Sequence, residues 1–192
     1  MRRLAAAALL TAAIAVTGVT AAQLSERYAV CAASHGAGGV SSMAESLSLA
    51  GQHPFCAITQ LFLLRLGRHA NVVMTAMVKD MNDADLRACS DLISELPAAP
   101  AAASAAVDPA RMARGAALAK QHRCGSCHGD AYTGEKRTPR IGGQREDYLA
   151  KTLAEFKAGP RAGYTSAMNE VLAGVGAEAL PELAYYLTNV GR

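Results

Sequence analysis

Tryptophan is absent, and aromatic residues together make up only 5% of the 192 positions. A chain so poor in large rings fills small interiors badly, and a domain below about 100 residues commonly needs a staple or a cofactor. Charge is sparse too, at 18%, while 51% of residues are hydrophobic. That composition excludes a disordered or collagen-like chain. No excess of one charge sign exists: with Arg2 and Arg3 set aside, 17 bases face 16 acids. Nothing in that balance points to nucleic acid as a partner. Beyond Val19 no apolar run approaches the roughly 20 residues that a membrane span needs, so no span is expected in a mature chain.

What is present begins with an address. Residues 1–22 read Met1-Arg2-Arg3, an apolar run from Leu4 to Val19, and a small-residue end at Thr20-Ala21-Ala22. This is the layout of a cleaved secretory signal peptide, so the protein is expected to be exported to the periplasm. In an oxidising compartment cysteines tend to be bridged or bound. There are five, Cys31, Cys56, Cys89, Cys124 and Cys127, and an odd number rules out complete pairing as disulfides.

One pattern occurs twice. Cys31-Ala-Ala-Ser34-His35-Gly36 parallels Cys124-Gly-Ser-Cys127-His128-Gly129, and Leu49-Ala50-Gly51-Gln52 parallels Ile141-Gly142-Gly143-Gln144. The histidines are 93 positions apart, the Gly-Gln pairs 92, and Met74 and Met168 94. Drift that small means two copies of about 80 residues with short insertions. The spacing predicts a first domain over 23–96, an Ala-Pro linker over 97–109 and a second domain over 110–192. The fold class is all-α. Helices are expected over Gln23–Cys31, Phe55–Leu66 and Asp83–Leu96 in the first copy. Their partners are Asp108–Cys124, Asp147–Phe156 and Glu178–Val190. Asn82 or Asp83, and Asp108 followed by Pro109, are the expected helix starts.

Cysteine spacing carries the chemistry. Cys124-x-x-Cys127-His128 is the attachment pattern of a c-type haem. Two thiols one turn apart can each add to a vinyl group at the porphyrin edge, and the next residue sets an imidazole under the iron. A zinc half-site would need two further ligands downstream, and a thioredoxin-like pair would need a βαβ context; neither is found. A low-spin carrier also needs a sixth ligand. Met168 follows His128 by 40 residues in a polar, Gly-flanked stretch read as a loop, and it is the only Met after Met112. In the first copy Met74 follows His35 by 39 residues, with Met77 and then Met81 as its rivals. A thioether ligand favours ferrous iron and raises the potential.

The tandem pattern resembles the dihaem class I cytochromes c of the cytochrome c-four type, and also the cytochrome subunit of flavocytochrome c sulfide dehydrogenase. The matching residues are Tyr28-Ala-Val-Cys-Ala-Ala-Ser-His-Gly, Ser48-Leu-Ala-Gly-Gln, Gly67-Arg-His-Ala-Asn-Val-Val-Met-Thr-Ala-Met and Asp83-Ala-Asp-Leu, with their second-copy partners. The resemblance implies two tandem class I cytochrome c domains, each wrapped around a haem. It implies an electron carrier and no enzyme, exchanging single electrons with redox proteins: a dehydrogenase or quinol-oxidising complex on one side, a terminal oxidase or other acceptor on the other. Haem thioethers are then expected on Cys31, Cys124 and Cys127, and axial ligands from His35, Met74, His128 and Met168.

One departure separates the copies. Ser34 stands where the second thiol belongs, and a hydroxyl does not readily form the thioether. Two haems c are expected, the first attached through Cys31 alone; the alternative is a monohaem protein whose first domain is a haem-free docking module. Cys56 and Cys89 read as small buried hydrophobes, with a Cys56–Cys89 disulfide as the sharper alternative. His53, His69 and His122 read as bystanders, and Arg68, Lys157 and Arg161 as candidates to face haem propionates. The first copy carries −2 and the chain from residue 97 onward +3, which points the second copy toward an acidic partner.

Overall fold

A computed structural model describes residues 21–99, 106–159 and 166–191. Most of the expected signal peptide, the middle of the linker and Arg161 lie outside the described residues. Among those described, regular structure is helical, with one isolated β-bridge between Glu135 and Thr138. The first unit holds α1 (Ala21–His35), α2 (Pro54–Arg65), α3 (Val72–Val78) and α4 (Asp83–Glu95). The second holds α5 (Pro109–Gln121), α6 (Gly125–His128), α7 (Glu146–Ala158), α8 (Ala167–Ala173), a 3-10 turn (Ala177–Ala179) and α9 (Leu180–Asn189). No described helix is long and apolar enough to cross a membrane.

Local chemistry starts these helices. Asn82 Oδ1 accepts from the N–H of Ala84 and Asp85 at 2.8 and 3.0 Å, and Asp85 returns a carboxylate oxygen to the Asn82 N–H at 3.0 Å. This reciprocal box satisfies donors that the first turn of α4 leaves open. The same Asp85 carboxylate is buried and reaches Arg27 on α1 at 3.4 Å, so the cap also anchors the helix crossing. Asp108 caps α5 through Ala110 and Arg111, with Pro109 in the first turn. Two expected boundaries change. The first motif runs through an unbroken α1 to His35, whereas in the second unit Arg123 takes φ +53° and separates α5 from α6.

Each unit has its own core. In the second, Ala119, Leu149, Leu153, Phe156, Leu172 and Leu183 belong to a buried cluster lined by α5, α7, α8 and α9. Gly115 allows α5 and α9 to cross closely: a Cβ there would lie 2.3 Å from Tyr186 Cβ and 2.5 Å from the Glu182 carbonyl oxygen. Arg111 ties the same helices from outside, pairing with Glu146 at 3.2 Å and Glu182 at 3.3 Å, and stacking 3.8 Å over the Tyr185 ring. The described core of the first unit is smaller: Leu64, Val78, Met81, Leu86 and Cys89. Burying one Leu contributes about 1.5–3 kcal/mol, so a five-residue cluster is thin for a unit of this size.

The two units meet through corresponding segments. Gln52 Nε2 donates to the Arg140 carbonyl at 2.8 Å while the Arg140 N–H donates to Gln52 Oε1 at 3.1 Å. Gln144 does the same to residue 48, with bonds of 2.7 and 3.0 Å. Since residues 48 and 140 are themselves repeat partners, the contact is isologous, as in a two-fold dimer. Arg140 also donates to the Ala50 and Ala99 carbonyls, Lys151 pairs with Glu45 at 2.8 Å, and Arg137 lies 4.6 Å over the Phe55 ring.

Candidate functional site

His35 closes α1 and is buried, at 8% exposure. Its Nδ1–H donates to the Leu47 carbonyl at 2.7 Å. Its Nε2 is buried with no partner. Desolvation holds the imidazole below the ordinary histidine range, opposed in part by the Leu47 bond. The ring is therefore neutral with its proton on Nδ1, which leaves a lone pair on Nε2. That is the form in which histidine ligates a metal, with a backbone carbonyl fixing the tautomer.

His128 repeats the arrangement. It ends α6, is 6% exposed, and donates from Nδ1 to the Pro139 carbonyl at 2.9 Å. Burial again pushes it down from the usual range. Leu47 and Pro139 are repeat partners, so both carbonyl supports come from the same place in each copy.

Cys31 and Cys124 each lie one helical turn before their histidine, half-buried, with thiols raised by desolvation. Cys127 is exposed. Ser34 holds the corresponding place in α1, where its carbonyl accepts from the Ser41 and Ser46 hydroxyls at 2.7 and 3.1 Å. Cys56 and Cys89 are buried and unbridged, their thiols pushed up to about 11 by burial, which agrees with the small-hydrophobe reading.

The methionines separate by environment. Met74 sits in the first turn of α3, its N–H capped by Asn71 Oδ1 at 2.9 Å, with its side chain packed against the first core. Met77 is 48% exposed, and Met81 belongs to the core itself. Met168 packs against the second core, as does Cys124. It stands on α8, not on a loop as its polar neighbours suggested. Asn169 pins that helix by donating to the carbonyls of Phe156 and Gly159 at 2.8 and 2.9 Å. The Asn71 and Asn169 anchors and the Gln52 and Gln144 clamps carry no role in the sequence reading; only the glutamines recur at matching positions, 92 apart, whereas Asn71 precedes Met74 by three residues and Asn169 follows Met168 by one. Of the proposed propionate partners, Arg68 is exposed and Lys157 reaches the Leu172 carbonyl at 3.5 Å.

These residues fit haem c. A buried nitrogen without a partner costs about 1–3 kcal/mol, and an axial bond to iron would satisfy Nε2 of His35. Thiols one turn before each histidine, with a thioether on a neighbouring helix, complete the donor chemistry of a class I cytochrome. The sequence model of the family described as Cytochrome c matches residues 112–189, within the second unit. Cytochrome c4 of Thiocapsa roseopersicina is 32% identical over 149 residues, covering 72% of this chain and 75% of that one. The thiosulfate dehydrogenase electron acceptor of Thiomonas intermedia is 31% identical, covering 85% and 79%. The crystal structure of reduced recombinant cytochrome c4 from Pseudomonas stutzeri superposes with a TM-score of 0.79 at 26% identity, covering 89% of this chain and 98% of that one. Likeness of that extent spans both units, the one with two thiols and the one with Ser34, and the chain belongs to the cytochrome c4 family of dihaem, all-α class I cytochromes c, electron carriers rather than enzymes.

Proposed function

We propose that this chain is a periplasmic dihaem shuttle that takes single electrons from a dehydrogenase or quinol-oxidising complex and passes them to a terminal acceptor. The domains run over 23–96 and 110–192, after a signal peptide at 1–22 and joined by the 97–109 linker. Haem c, when bound, supplies the one-electron iron couple. Cys124 and Cys127 would hold it in the second domain, with His128 and Met168 as the residues that would ligate its iron. Cys31 alone would hold it in the first, with His35 and Met74 in the same roles. The observation that carries this reading is the buried, partnerless Nε2 of His35, four residues after Cys31. A domain that had abandoned its cofactor would have no use for a neutral imidazole held by Leu47. The relative named as an electron acceptor for thiosulfate dehydrogenase supports a dehydrogenase as the donor class.

Ser34 favours a second reading, in which the first domain is haem-free and serves for docking. Spectroelectrochemical titration of the purified protein separates the two. Two one-electron steps per chain are expected, and a single step supports the docking reading.

A further inference from the structure

Each clamp ends on a peptide group that already serves a histidine. The Leu47 carbonyl accepts from His35 at 2.7 Å, and the Ser48 N–H of that same peptide donates to Gln144 Oε1 at 3.0 Å. In the other unit the Pro139 carbonyl accepts from His128 at 2.9 Å, and the Arg140 N–H of that peptide donates to Gln52 Oε1 at 3.1 Å. The C=O and N–H of one peptide are a single planar, conjugated group. An acceptor on its N–H draws density toward its oxygen and makes the carbonyl a stronger acceptor, an effect of roughly 10–30% per bond in such chains. Both glutamines are buried, Gln52 at 5% and Gln144 at 1% exposure, so water does not compete for these bonds. The amide orientation is fixed, because a backbone N–H can only donate and a carbonyl can only accept.

We infer that Gln52 and Gln144 are positioning residues that set the donor strength of the axial histidine in the opposite domain. Gln52 acts on His128 through the 139–140 peptide, and Gln144 acts on His35 through the 47–48 peptide. A stronger carbonyl acceptor gives the imidazole more imidazolate character, and a more basic ligand favours ferric iron. Docking of the domains therefore lowers both potentials, and loss of either clamp raises the potential across the interface while sparing its own side. This inference rests on the haem assignment above, and the Gln52 arm uses only the second domain, where both thiols are present.

The test uses full-length holoprotein whose second-domain haem is first verified by mass. Three variants are compared: Gln52→Leu, which removes both bonds; Gln52→Glu, which gives up the donation to the Arg140 carbonyl but whose anionic oxygen accepts more strongly from the Arg140 N–H; and Lys151→Ala, which breaks the Glu45 pair across the same interface and touches neither peptide. The readouts are the His128 Nδ1–H proton resonance in the ferrous protein and the second-domain potential. Gln52→Leu is expected to move the resonance upfield and raise the potential, Gln52→Glu to do the reverse, and Lys151→Ala to change neither. The His35 resonance stays in place throughout. A His128 resonance that is unmoved by both Gln52 variants, or displaced equally by Lys151→Ala, overturns the inference and leaves the haem assignment standing. Absence of haem from Cys124 and Cys127 overturns both.

Discussion

The Nδ1 of His35 and the carbonyl oxygen of Leu47 are 2.7 Å apart, and that bond holds a neutral, buried imidazole with its second nitrogen bare. In the second unit His128 and Pro139 stand in the same relation at 2.9 Å. The first unit thus has one thiol fewer in its motif than the second and the same carbonyl support for its buried histidine.

The first prediction concerns the sixth ligand beside His35. Met74 packs against the first core while Met77 is half exposed. Met74→Ala should abolish the sulfur-to-iron charge-transfer band of the first haem in the ferric protein, and Met77→Ala should preserve it. The opposite pattern would transfer the ligand role to Met77.

Met168 occupies the matching place on α8. Met168→Ala should remove the corresponding band of the second haem and lower its potential, since a thioether favours ferrous iron. Near-infrared absorption with a redox titration reads both, and an unchanged second-domain band would exclude Met168.

Gly115 makes a stability prediction independent of haem chemistry. Its added Cβ would meet Tyr186 and the Glu182 backbone inside ordinary contact distance, so Gly115→Ala forces α5 and α9 apart. Overpacking of this kind costs about 1–3 kcal/mol. Chemical denaturation of the holoprotein should show that loss, and a neutral result would mean the crossing is looser than described.

Asp147 should make the interface acid-sensitive. Arg145 grips its carboxylate at 2.6 and 2.9 Å and holds its pKa below the ordinary 3.8, helped by the Glu45 and Tyr148 N–H groups. The folded value is the lower one, so its contribution is full above the unfolded pKa and disappears as pH falls from there through the folded value. Asp147→Asn should be less stable than the parent near neutrality, with the gap closing on acidification in urea unfolding. A pH-independent gap would show that the carboxylate charge contributes nothing.

Much of this was legible in the chain itself. Asn82 and Asp108 announced their helices, and repeat spacing singled out the two histidines and two methionines that are proposed as iron ligands. The helices carrying Met74 and Met168 were not foreseen, because seven residues show less than two turns of periodicity and α8 depends on Asn169 reaching back to α7. The left-handed Arg123 that divides α5 from α6 has no glycine to mark it. Gln52 and Gln144 were visible as a repeated pair, yet their partners lie 88 and 96 positions away, across an interface that only the fold creates.

The central claim is that the first domain carries haem through Cys31 alone. Intact mass with pyridine haemochrome spectra, on protein from the native host, tests it most directly. The account predicts the mature chain plus two haems, with one haemochrome band lying to the red because a vinyl group opposite Ser34 remains conjugated. Ser34→Cys should leave that mass nearly unchanged and bring the two bands together. A chain carrying a single haem, bound at Cys124 and Cys127, would contradict it.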